Sequence, residues 1–346
     1  MTSLTLDEAV PAGITAWLAD ILPDAVGPFT FSRIAGGYSM LTYRVTDIAG
    51  HVWVLRHPPS GNHSGGAHDT GREARAMAAL AATPVPVPRV RYTGTADSPL
   101  GLPCHITDFV EGYVIDDEQK ARTLLSPDAL NSATMNIVDT LATLHRVDPD
   151  EVGLGDLGPR ANYLSRQMRR WLSVANEARI PETEKQVELM NSLGETLRRR
   201  QPEDTAPRIV HGDYRLGNAI VGDDGEVRAL LDWELVTLGD PLADLGLLAA
   251  FWNPPAEAVL GARMPTGSAG SISLGAALDR YVSLTDTDLD QVGYYHAFAC
   301  WRLAGTGLRA AKRYQSGVMN DDTDITKFGI AAGTWLGIAG DLLAGN

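Results

Sequence analysis

The stretch His211-Gly212-Asp213-Tyr214-Arg215-Leu216-Gly217-Asn218 is the densest polar constellation in the chain, and short apolar runs flank it on both sides. Asp232 follows fourteen residues after Asn218, in Leu231-Asp232-Trp233-Glu234 at the end of a further run. Residues 208–211, 219–221 and 227–231 read as short strands, and Gly222-Asp223-Asp224-Gly225 reads as the tight turn joining the last two. An aspartate, an asparagine five residues on and a second aspartate beyond a hairpin can converge only if that hairpin folds back. The turn supplies the fold-back.

Outward from this stretch the pattern differs on the two sides. Upstream, residues 29–34, 41–47 and 52–57 alternate with period two, with Gly36, Gly37 and Gly50 between them, and predict an antiparallel meander. An Ala-rich helix is expected over 68–82, carrying Arg72, Glu73 and Arg75, and ending before the proline-rich stretch that begins at Thr83. Residues 90–93 and 103–110 read as two more strands, and Asp7 reads as the start of a first helix reaching Leu22. Downstream, apolar residues at three- and four-residue spacing predict helices over 127–146, 161–177 and 182–200, and helix again from Pro241 to the end. The expected fold class is α+β: a small antiparallel β-sheet lobe with one helix, 1–112, then a larger mainly helical lobe, 113–346.

The chain has 346 residues, enough for about two domains. Hydrophobic residues make up 44% and charged residues 21%, which excludes a disordered chain. Acidic residues outnumber basic ones 43 to 29, so the formal charge of -14 argues against nucleic-acid binding. No run approaches the roughly 20 apolar residues of a spanning helix, and the N-terminal stretch lacks a basic n-region, so no membrane partner is expected and the expected location is the cytoplasm. Two cysteines, Cys104 and Cys300, stand far apart without a CxxC pattern, so both are expected to be buried small hydrophobes.

The polar residues match what phosphoryl transfer requires. One carboxylate accepts the proton of an attacking hydroxyl, while an amide oxygen and a second carboxylate hold Mg²⁺ against nucleotide phosphates. Each residue alone has a plainer reading: Asp213 in an Asx turn, Asn218 capping a turn, Asp232 an ordinary strand-end acid. Those readings leave their joint occurrence, in order and behind a β-rich lobe, without a reason.

Together, HGDYRLGN and LLDWE resemble the catalytic loop and metal site of the aminoglycoside phosphotransferase-like (APH/choline kinase-type) kinases, relatives of the protein kinases, whose loop reads H-R-D-x-x-x-x-N. The resemblance implies a protein-kinase-like bilobal fold, with Asp213 as catalytic base and Asn218 and Asp232 as Mg²⁺ ligands. It also implies His211 as structural support, Asp244 as the aspartate bracing the loop, and Glu234 beside the metal or substrate. In the small lobe it places Gly36, Gly37 and Ser39 in a loop over the phosphates, and no GxxxxGK[ST] pattern occurs, so a Walker-type loop is excluded. Arg56 stands where the family has lysine, with Glu73 as its partner, and Asp108, Phe109 and Val110 form the hinge whose backbone meets the base. That hinge does not separate ATP from GTP.

Val54-Leu55-Arg56, the following Pro58-Pro59, His68-Asp69, Arg72-Glu73 and the later Arg166-Gln167-Met168-Arg169-Arg170-Trp171 resemble one branch, the kinase domains found alone in bacteria or fused to acyl-CoA dehydrogenases. Arginine at position 56 is the residue that branch leads one to expect. Arg166, Arg169 and Arg170 could receive an anionic substrate such as a carboxylate or a CoA phosphate, or could equally be a solvated helix face. The implied function is ATP-dependent phosphorylation of a small-molecule hydroxyl, with a hydroxyacyl compound or another metabolite favoured. The alternatives are an aminoglycoside O-phosphotransferase and a non-catalytic nucleotide-binding protein of kinase fold. Nucleotide, Mg²⁺ and acceptor are the expected partners, and the sequence leaves the oligomeric state open.

Overall fold

The computed structural model describes residues 12–22, 24–34, 40–59, 69–285, 287–317 and 324–345. In chain order the elements are α1 (Ala12–Ile21), β1 (Thr30–Arg33), β2 (Leu41–Thr46), β3 (Val52–His57), α2 (Thr70–Leu80), β4 (Val90–Gly94), β5 (Cys104–Asp108) and β6 (Tyr113–Val114). There follow α3 (Glu118–Leu124), α4 (Pro127–Arg146), α5 (Tyr163–Glu177), α6 (Glu184–Arg199), β7 (Arg208–Val210), β8 (Ala219–Val221) and β9 (Val227–Leu230). Last come β10 (Thr237–Gly239), α7 (Leu242–Ala250), α8 (Leu274–Thr285), α9 (Val292–Gln315) and α10 (Thr326–Ala344). The chain divides into two compact units: Met1–Gly112 with Arg228–Val236, and Tyr113–Val227 with Thr237–Asn346.

The first unit is built on an antiparallel sheet of order β1-β2-β3-β5-β4. Alternation along β3 buries Trp53, Leu55 and His57 and leaves Val52, Val54 and Arg56 on the other face. Ile14, Leu18 and Leu22 of the α1 region join Tyr43, Val45, Leu55 and Ile106 in one core cluster. Burying each such aliphatic or aromatic side chain is worth about 1.5–3 kcal/mol. Asp69 caps α2 by accepting from Arg72 N at 3.0 Å. Glu73, Ala76, Met77 and Leu80 form its buried stripe. Hydrogen bonds tie the segment Arg228–Val236 into this unit: Leu230 N–H donates to Pro86 O at 2.8 Å, the Arg72 guanidinium to Val236 O at 2.6 and 3.0 Å, and Arg56 to Asp232 at 2.6 Å.

The second unit is mainly helical. Ser126 caps α4 by accepting from Ala129 N, Pro127 occupies the first turn, where no N–H is needed, and His145 and Arg146 sit in the last turn, facing the negative end of the helix. All of α7 is buried, and an added Cβ at Gly246 would lie 2.4 Å from Tyr295 O, so only glycine permits the close α7–α9 crossing. β6 pairs with β8, and β7 with β10, both antiparallel. The turn at Gly222–Gly225 closes with Gly225 N–H to Gly222 O at 2.9 Å, with Gly225 at φ +83. No described helix is long and apolar enough to cross a membrane. Cys104 and Cys300 are both free and buried.

The α+β class and the antiparallel small sheet are as expected from the sequence, and so are the helices over 127–146, 161–177 and 182–200, with ends differing by a few residues. The expectation of continuous helix after Pro241 is corrected. Between α7 and α8 the chain has only short 3-10 turns at Ala256–Val259 and Pro265–Gly267. Pro254, Pro255 and Pro265 lack the N–H that helix propagation needs. The helix start expected at Asp7 and the loop with Gly36, Gly37 and Ser39 lie outside the described residues.

Candidate active site

In the second unit, β7 leads directly into His211-Gly212-Asp213. Asp244, 1% exposed on α7, accepts from His211 N at 2.6 Å and from Gly212 N at 2.9 Å. Burial alone would raise the Asp244 pKa. The His145 side chain, the charges of His145 and His211 and the Gly212 amide outweigh burial and hold it below the usual carboxylate value. His145 Nε2 lies 3.5 Å from Asp244, and Nδ1 of the same ring lies 2.8 Å from Tyr281 OH. Asp213 N–H donates to His211 Nδ1 at 3.2 Å, which places that ring's own proton on Nε2 when the ring is neutral. Tyr214 OH donates to Ile137 O at 2.7 Å and anchors the loop to α4.

Asp213 and Asn218 meet. Asn218 Nδ2 donates to Asp213 Oδ2 at 2.7 Å and to Asp213 O at 2.8 Å. With its nitrogen committed, Asn218 has Oδ1 left, and that oxygen makes no hydrogen bond among the described residues. Asp213 Oδ1 is likewise without a hydrogen bond there, and the side chain is 29% exposed. Arg215 Nε lies 3.8 Å from Asp213 Oδ2, and its guanidinium sits 5.5 Å above the Phe251 ring. Arg215 and Phe251 line a pocket with Asp116 and Met264, and Met264 also borders a cavity of about 400 Å³ lined by Glu118, Asn253 and Arg263. Two of the carboxylates there have cationic neighbours, Asp116 with Lys120 at 2.6 Å and Glu118 with Arg122 at 3.8 Å and Arg263 at 3.9 Å, while exposed Glu257, also in the lining, has no ion pair among the described residues.

The first unit gathers a different set. Arg56 reaches Glu73 Oε1 with Nη1 at 2.9 Å and Asp232 Oδ1 with Nη2 at 2.6 Å, while its buried Nε has no hydrogen-bond partner among the described residues. Asp232 adopts φ +62, ψ 57, a left-handed conformation uncommon outside glycine, and starts a 3-10 turn at Trp233–Leu235. Burial pushes the Glu73 carboxyl up to about 7; Arg56 opposes this, and Asp232 and Glu234 add to it. Glu234 therefore belongs electrostatically with Arg56 and Glu73. Opposite Arg56 in the β3–β5 register stands His105, whose Nδ1 lies 4.0 Å from Glu73 Oε2. Burial, and after it Arg56, pushes this histidine down to about 3, so it is neutral at physiological pH.

At the hinge, Asp108 N–H donates to Arg89 O at 2.9 Å and Phe109 N–H to Val52 O at 3.4 Å, while the Asp108 carboxylate is gripped by Arg91 at 2.6 and 2.8 Å. Val110 N–H makes no hydrogen bond among the described residues. On α5, Arg169 and Arg170 stand three and four residues after Arg166, whose Nη1 is buried without a hydrogen-bond partner among the described residues. Arg166 Nη2 donates to Pro159 O at 2.7 Å, Arg170 lies 6.0 Å from the Trp171 ring, and Arg169 is exposed. His105, His145, Tyr281 and Arg215 escaped the sequence reading. His105 alone had a usable signal, its cross-strand position opposite Arg56.

The pattern of the Phosphotransferase enzyme family (APH) matches residues 30–272, and the chain belongs to that family; it is a phosphotransferase. Among curated relatives, acyl-CoA dehydrogenase family member 10 of Mus musculus is 32% identical over 68% of this chain and 22% of its own length. Acyl-CoA dehydrogenase family member 11 of Gallus gallus is 28% identical over 84% of this chain and 38% of its own length. The chain thus spans between about a fifth and two fifths of these relatives. A Ralstonia eutropha structure assigned to the aminoglycoside phosphotransferases superposes with a TM-score of 0.78 at 27% identity, covering 95% of this chain and 97% of that one. The fold is the bilobal α+β fold of these kinases.

Proposed function

We propose that the chain is an ATP-dependent kinase that moves the γ-phosphoryl group to the hydroxyl of a small molecule. The observation carrying this reading is the Asp213–Asn218 contact at 2.7 Å on a loop whose backbone is held by buried Asp244. Asp213 Oδ2 is held by Asn218, so Oδ1 is the atom that takes the acceptor's proton. Asn218 Oδ1 is a hard donor without a hydrogen bond among the described residues and suits Mg²⁺, which binds through one or two carboxylates together with substrate phosphates; the family resemblance supplies Asp232 as the carboxylate ligand, and its second oxygen likewise makes no hydrogen bond there. Mg²⁺ bound there would neutralise charge on the terminal phosphates. The buried, unpartnered Arg56 Nε supplies a donor for an anion, and the Val110 amide supplies one for the base.

A hydroxyacyl compound or a similar metabolite is preferred as acceptor over an aminoglycoside. A polycation calls for several uncompensated carboxylates, and beside the Asp213 loop Asp116 and Glu118 have cationic neighbours, which leaves Glu257 as the one lining carboxylate without an ion pair among the described residues. The relatives named for acyl-CoA dehydrogenases support the same preference. The test is Mg²⁺-dependent ADP formation from ATP across hydroxyacyl compounds, sugars, amino alcohols and aminoglycosides. Turnover with a hydroxyacyl compound supports the reading, and turnover with aminoglycosides alone overturns the acceptor class. Mg-ATP binding with no phosphorylation of any of them favours a non-catalytic binding protein.

A further inference from the structure

Arg302 on α9 is 8% exposed and takes no part in the chemistry described so far. Its Nη2 donates to Gly212 O at 2.6 Å. That is the one hydrogen bond of the guanidinium, which makes no ion pair, among the described residues. A buried cation without a carboxylate is unfavourable, and an apolar side chain of similar volume would fill the same place without that penalty. The charge is therefore explained by what it holds.

We propose that Arg302 is a positioning residue for the catalytic base. The peptide between Gly212 and Asp213 is gripped at both ends, its oxygen by Arg302 and its N–H by His211 Nδ1 at 3.2 Å. Gly212 has φ +87, a conformation glycine adopts readily, and with no side chain of its own it leaves this peptide to be oriented by its hydrogen bonds. The preceding amides are fixed by Asp244, and the peptide that follows them is held by His211 through a single 3.2 Å bond on its N–H side. Arg302, ninety residues on in the chain, holds the oxygen side and so aims the Asp213 carboxylate at Asn218.

The inference rests on Asp213 being the base, and its test separates the two ideas. Mg²⁺-dependent ADP formation from ATP is measured, with the best acceptor of the panel or with water, for R302M, R302K, D213N and R302M/D213N. R302M is expected to lower kcat about 10–100-fold, as loss of alignment does, with KM for ATP and the affinity for a fluorescent ATP analogue within about threefold of the parent protein. R302K should recover part of the loss. In the D213N background R302M should lower kcat by less than about twofold, because the two act through one group. A full loss in that background, a fall in nucleotide affinity matching the fall in kcat, or an R302M enzyme as fast as the parent overturns the role. Native turnover by D213N overturns the base assignment instead. If R302M does not fold, R302K and R302Q carry the same cycle.

Discussion

Glu73 is where burial and charge compete most directly. Removal from water raises its pKa from 4.5 to about 7, against the pull of Arg56. Because the folded value lies above the unfolded one, the stability linked to Glu73 is fully present below about pH 4.5 and is lost as pH rises through about 7. The slope cannot exceed about 1.4 kcal/mol per pH unit for one group. We predict that the denaturation midpoint of the nucleotide-free protein falls between about pH 5 and pH 7.5, and that E73Q flattens this dependence. Identical pH profiles for parent and E73Q would contradict it. Glu73 as the partner of Arg56 could be read from the sequence by resemblance. Its perturbed acidity could not, because that depends on burial and on Asp232 and Glu234 being brought to α2 by a segment far away in sequence.

At the scale of the element, the catalytic loop is a rigid turn fastened to α7. Replacing Asp244 with alanine strands the His211 and Gly212 amides in a buried site and leaves His145 facing an empty contact. Each stranded donor is worth about 1–3 kcal/mol, so D244A should lose about 3 kcal/mol or more of stability in equilibrium denaturation. A loss under about 1 kcal/mol would show that the loop is held by something else. The Asp240-to-Gly246 stretch made Asp244 visible in the sequence as a bracing residue. His145 and Tyr281 were invisible because they meet only when α4 packs on α8. Between α7 and α8 the prolines at 254, 255 and 265 outweigh the surrounding apolar residues and hold the chain to short 3-10 turns where the sequence predicts helix.

At the scale of the whole molecule, the first unit is discontinuous in sequence. Trp233, fully buried, Leu230 bonded to Pro86, Val236 bonded to Arg72 and Asp232 paired with Arg56 all arrive from the segment Arg228–Val236. A fragment of residues 1–112 lacks all of these, and loss of a buried tryptophan alone costs about 3–5 kcal/mol. We expect that fragment to show no cooperative urea transition by circular dichroism, and a sigmoidal transition would contradict the dependence. The acidic balance of the chain, -14, excluded a nucleic-acid-binding role without locating any site. The site became legible only through the spacing of a few residues, Asp213, Asn218 and Asp232. The central claim is that Asp213 is the base of a phosphoryl transfer, and turnover of D213N with Mg-ATP and an acceptor tests it most directly. The account predicts a fall in kcat of about 10²–10⁴-fold with nucleotide affinity unchanged, and turnover at the parent rate would contradict it.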